Sequence, residues 1–124
     1  MTLIKFYPML KMGNNGWEPD MDILETTDDF VISAELPGLD KRDLSLTLED
    51  DILTLKGEKV RETVEEDENY NLSERKFGKF SRTFLMPDSI RPEKIKTSFK
   101  DGLLRVSIPK SEVAKEKQVK VEFR

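Results

Sequence analysis

The chain has 124 residues, 36% hydrophobic and 37% charged, which fits one domain with a modest core and a heavily hydrated surface. It contains no cysteine and no histidine, so disulfides, thiolate chemistry, histidine-ligated metal and imidazole catalysis or pH switching are all excluded. A net charge of −4 withholds the footprint of a nucleic-acid binder, and no apolar run approaches the roughly 20 residues of a membrane span.

In chain order, residues 1–16 form an arm carrying Leu3, Ile4, Phe6, Tyr7, Met9 and Leu10. Pro8 interrupts any continuous helix there, and Gly13, Asn14, Asn15 and Gly16 make a flexible hinge. The arm shows no signal-peptide cleavage pattern, so a cytoplasmic location is expected. It reads either as an adaptable apolar contact for other chains or as a terminal segment completing the core.

Period-two patterning begins after Trp17. Phe30, Ile32, Ala34 and Leu36 alternate with polar or small neighbours until Pro37-Gly38. Leu44, Leu46 and Leu48 alternate with Ser45, Thr47 and Glu49. The turn Asp50-Asp51 follows, then a hairpin mate over Ile52–Lys56, closed by Gly57. Another strand is expected from Phe80 to Leu85, ended by Pro87. Ile95, Thr97 and Phe99 alternate with lysines and Ser98. The hairpin signal Asp101-Gly102 then leads to Leu104, Val106 and Ile108, stopped by Pro109. Short strands spaced by turn signals about every 8–12 residues imply an all-β sandwich or barrel. Alternation, rather than unbroken apolar runs, selects an immunoglobulin-like antiparallel β-sandwich.

Two segments fall outside a closed sandwich. Glu62–Glu74 is a long acidic loop with Tyr70 and Leu72 in a short stretch of strand character. The tail Lys110–Arg124 is charged up to Gln118 and then places Val119, Val121 and Phe123 at alternate positions. Arg82 falls by parity on the face of Phe80 and Phe84, where a buried guanidinium calls for a carboxylate partner. Neither Asp50-Asp51 nor Glu65-Glu66 is spaced for carboxylate catalysis. The acidic loop lacks a calcium-loop glycine pattern, and no glycine-rich phosphate cradle occurs. An enzyme is therefore not expected, and no cofactor or metal.

Four pieces in register resemble the α-crystallin domain of small heat-shock proteins, in the bacterial and plant branch. They are Trp17–Ile23; Ala34-Glu35-Leu36-Pro37-Gly38 with Leu53–Glu58; Glu74–Phe84 leading to Leu85-Met86-Pro87; and Phe99–Leu104 ending at Ile108-Pro109-Lys110. Thr97, Asp101 and Leu103 stand where the family usually has alanine, asparagine and valine, although Asp-Gly remains a favoured hairpin turn. The arm is also shorter than is usual in the family.

The resemblance implies an arm over 1–16, an α-crystallin domain over 17–109 and a C-terminal extension over 110–124. It also implies an ATP-independent holding chaperone that binds partly unfolded proteins and self-associates. Leu3, Ile4, Phe6, Tyr7, Met9 and Leu10 would then contact clients. Val119 and Val121 would dock into a neighbour's groove lined by Leu46, Leu48, Ile95 and Thr97. Arg82, Tyr70 and Leu72 would belong to a dimer interface formed by strand exchange. Each role has a plainer rival: the tail as a last intramolecular strand, the loop as a solvated excursion, and Arg82 as an edge arginine over an aromatic ring. The rival function is a monomeric co-chaperone-type binding module on the same sandwich.

Overall fold

Alternating side chains and tight turns build two four-stranded antiparallel sheets. The computed structural model describes residues 17–112 and the backbone of Tyr7 and Pro8. In chain order the strands are β1 (Tyr7–Pro8), β2 (Met21–Glu25), β3 (Asp29–Glu35), β4 (Leu44–Glu49), β5 (Ile52–Lys59), β6 (Gly78–Leu85), β7 (Lys96–Lys100) and β8 (Leu103–Pro109). One sheet runs β1-β6-β5-β4 and the other β2-β3-β8-β7. Single turns of 3₁₀ helix at Lys41–Asp43 and Pro92–Lys94 lead into β4 and β7.

Both expected two-residue hairpin turns form, and their backbones explain their sequences. Asp50 and Asp51 have φ of +50° and +64°, while Asp101 and Gly102 have +52° and +77°. Positive φ at both central residues gives the turn hand that matches strand twist, and Asp and Gly tolerate it best. Gly102 is doubly constrained, because a Cβ there would lie 3.2 Å from the Pro37 backbone.

Inward-facing residues of the two sheets form the core. Phe30, Ile32 and Ala34 on β3 and Leu104, Val106 and Ile108 on β8 meet Leu53 and Leu55 on β5 and Phe80 and Phe84 on β6. Burial of these side chains is the main force holding the sheets face to face, at about 1.5–3 kcal/mol for each large residue. Leu44, Leu46 and Leu48 on β4, and Phe99 on β7, are only partly buried against that core. They lie at the sheet edges, where the sandwich opens.

Several expectations shift in detail. The hairpin mate does not close at Gly57: β5 runs on to Lys59 because the Phe80 ring packs over the glycine. Ile95 lies just before β7, as the residue capping a 3₁₀ turn. No strand forms over Tyr70–Leu72, which lies within an exposed segment without regular structure. β2 is an additional strand whose burial alternates but whose sequence does not announce it, since Leu24 faces solvent and Glu25 faces inward.

Candidate functional site

A groove opens between the edge strands of the two sheets, β4 and β7. Its volume is about 240 Å³, and Leu44, Leu46, Thr97 and Phe99 line it above Leu55 and Leu104. Each edge strand has one side with no ladder partner among the described residues. The groove therefore pairs apolar pockets with free backbone donors and acceptors, which is what an added extended segment needs. Of the four residues expected there, Leu46 and Thr97 line the groove. Leu48 and Ile95, partly buried against the core like Leu44, Leu46 and Phe99, lie beyond this cavity on the same two edges.

A larger concavity of about 530 Å³ crosses β4, β5 and β6, with Leu44, Gly57 and Phe80 at its apolar part and Arg42, Lys56 and Lys79 around it. Lys79 is already engaged with Glu58 at 3.9 Å, and Arg42 with Asp40 at 3.3 Å. Both are exposed pairs of the kind that contributes little. This surface lies along β4, β5 and β6 and lacks the two facing strand edges of the groove, so the groove is the stronger candidate.

Arg82 pairs across the ladder with Leu55 and shares the inward face of Phe80 and Phe84. Its guanidinium lies 5.8 Å from the Phe84 ring centre, and among the described residues its buried Nε has no hydrogen-bond partner. Among the described residues of this one chain, no carboxylate pairs with it. The inward neighbours on β5 and β6 are apolar, and Glu58 falls on the opposite face, where it meets Lys79. Within the single chain, its recorded contact is with the face of the Phe84 ring.

The acidic loop between β5 and β6 is exposed throughout, with Tyr70 53% and Leu72 73% accessible. Cations and aromatics gather at its root. The Arg61 guanidinium stacks 4.4 Å from Phe77 and 5.0 Å from Tyr70, and its Nη2 donates to the Arg75 carbonyl at 3.5 Å. Lys59 lies 5.3 Å over Trp17, whose ring meets Phe80 edge-on. The sequence reading missed this cluster, because its members are scattered along the chain and meet only through the β5–β6 pairing.

Val119, Val121 and the arm residues Leu3, Ile4, Phe6, Met9 and Leu10 lie outside the described residues. The backbone of Tyr7 is described, in register with Leu85 on β6. Among the described residues, no helix is long and apolar enough to cross a membrane, and no cluster of acidic side chains could hold a metal.

Two antiparallel sheets face to face, with an apolar groove between their edge strands β4 and β7, define a β-sandwich domain. A model of the Hsp20/alpha crystallin family matches residues 22–122, and the chain belongs to that family of ATP-independent chaperones. It is 37% identical over 109 residues to small heat shock protein C4 of Rickettsia felis, covering 88% of this chain and 67% of that protein. A 17.4 kDa class I heat shock protein of Oryza sativa subsp. japonica is 38% identical over 96 residues, 77% of this chain and 62% of that one. Among solved structures, heat shock protein 16.0 from Schizosaccharomyces pombe aligns with a TM-score of 0.75 at 35% identity, over 87% of this chain and 97% of that one. A small heat-shock protein from Xylella fastidiosa gives 0.73 at 34% identity, over 88% of this chain and all of that one.

Proposed function

We propose that this chain is an ATP-independent holding chaperone that binds partly unfolded proteins and keeps them from aggregating in the cytoplasm. The observation that carries this reading is the groove between β4 and β7, apolar inside and bordered by two strand edges. Unfolding proteins expose apolar side chains and unpaired strand edges, and such a groove is complementary to both. The high charge content keeps a loaded complex dispersed.

In this proposal the groove has two competing occupants. Val119 and Val121 of a neighbouring copy are spaced i, i+2, as side chains entering one face of an edge must be. Tail docking would build oligomers and cover the groove, and release would expose it. Leu48 and Ile95 would border that contact. Tyr70 and Leu72, both exposed, would add as a strand to a partner's sheet and make the dimer, with Arg82 at the interface. Leu3, Ile4, Phe6, Tyr7, Met9 and Leu10 would offer a second adaptable client surface. The test is light scattering of a heat-labile client, heated without ATP, with the chain at several-fold molar excess. Suppressed scattering is expected, and failure across several clients would overturn the proposal.

A further inference from the structure

Lys110 is the one charged side chain wholly buried among the described residues. Its Nζ donates to Glu25 Oε2 at 2.7 Å and to the Thr26 carbonyl at 2.8 Å, and lies 5.1 Å from the centre of the Phe30 ring. An ammonium has three donors. Two are taken by oxygens, and the ring face offers the third direction a cation-attracting surface.

The backbone here is gripped from two sides. Lys110 N–H donates to the Asp28 carbonyl at 2.8 Å, in the turn between β2 and β3. On the other flank Ile90 and Lys110 form a β-bridge, Arg91 N–H donates to the Pro109 carbonyl at 2.9 Å, and Ser111 N–H donates to the Ser89 carbonyl at 2.8 Å. Lys110 thus directly follows β8 and joins it to Ser111 and Glu112 at the end of the described residues. Glu25 is the last residue of β2, the outer strand of its sheet.

A buried ion pair is a poor device for stability alone, because desolvation offsets much of its attraction and apolar residues of similar volume often do as well. It is a good device for geometry, since the lysine must find both a carboxylate and a carbonyl or remain buried unpaired. We propose that Lys110 is a positioning residue: its lock onto Glu25 and Thr26 sets the direction in which the C-terminal segment leaves the sandwich and couples that exit to the edge strand β2. The functional half of this inference rests on the proposed tail docking.

The test uses the full chain and the double variant Glu25→Leu/Lys110→Met, which replaces both ends with apolar groups of similar size. Lys110→Met alone, which leaves the half-buried Glu25 carboxylate without its partner, serves as the destabilised control. Amide exchange at Ser111 and Arg91 is compared between wild type and double variant at temperatures chosen for equal global stability. Protection should fall at these amides by on the order of ten- to a hundredfold, as expected for losing a charge-assisted anchor, while core amides on β3 and β8 keep theirs. Light scattering should show a smaller or broader mass distribution. Wild-type protection at Ser111 and Arg91 in the double variant would overturn the lock. Lost protection with wild-type mass would overturn its role in assembly. A chain truncated after Lys117 separates the two ideas: if it keeps wild-type mass, tail docking itself fails, while the exchange result still decides the lock.

Discussion

Gly57 sits inside β5 at an inward position, where alternation would place an apolar side chain. A Cβ there would come within 2.4 Å of Phe80 Cε1 and 3.0 Å of Leu44 Cδ2. The Phe80 ring has little freedom to retreat, because Trp17 holds it edge-on at 5.1 Å. Gly57→Ala is therefore expected to destabilise the fold by about 1–3 kcal/mol through overpacking. It should lower the urea midpoint without changing the slope, and an unchanged midpoint would mean that the ring swings aside. Arg82 presents the opposite case, a buried donor with no partner among the described residues. Arg82→Met keeps an aliphatic stem beside Leu55 and removes that donor. Stability should stay level or rise by up to about 1 kcal/mol, since an unsatisfied buried N–H is a cost. If Arg82 serves the dimer, light scattering should show weaker self-association in the same variant. Lower stability with unchanged mass would instead assign Arg82 to the core of one chain.

Among the elements, the β5–β6 connection is the one the fold itself does not explain. Residues 60–76 are exposed, yet they carry Val60, Val64, Tyr70 and Leu72 at 67%, 44%, 53% and 73% accessibility. Loop closure entropy changes only slowly with length, so shortening this segment should leave the sandwich standing. Deleting Val64–Leu72 is expected to give monomers that unfold near the wild-type midpoint. A dimer of unchanged affinity would rule out strand exchange through this loop. The reason such a strand is absent from a single chain is the reason it was only half legible in the sequence. Tyr70 and Leu72 have strand character, but a strand exists only with a ladder partner, and the acidic run beside them favours solvent. Legibility elsewhere follows the same rule. The hairpins at Asp50-Asp51 and Asp101-Gly102 are local chemistry, and so β4, β5, β7 and β8 could be read directly. β2 was not legible, since its five residues MDILE include two carboxylates and an exposed leucine and are held by pairing with β3. The groove was legible in part. Leu46 and Thr97 were expected through the family resemblance, and Leu44 and Phe99 share their parity, so alternation alone does not say which residues of each edge line the cavity. Lys110 gave no signal, because its partners Glu25 and Thr26 lie more than 80 residues away.

For the whole molecule, the proposed assembly would have to be the sum of weak local contacts. A fully buried valine contributes about 1.5–3 kcal/mol at most, so Val119 and Val121 together offer only a few kcal/mol before the entropy of ordering the tail is subtracted. In the proposed assembly, one tail in one groove would thus be a fleeting contact. Several tails joined through the proposed dimer would gain from effective concentration, so that assembly would be firm in sum while each groove was vacated often enough to meet a client. This yields a prediction about coupling rather than about any one variant. Leu46→Lys puts a charge into the groove from a half-buried edge position, where the long stem can still lie on Leu55 and the ammonium reach water. Truncation after Lys117 removes the valines. Each change alone should lower the mass seen by light scattering. Made together, they should lower it no further than the stronger of the two, because they break the same contact from opposite sides. Additive losses would show that tail and groove act through different partners. An unaltered mass in the truncated chain would return the tail to its plainer reading as part of its own subunit.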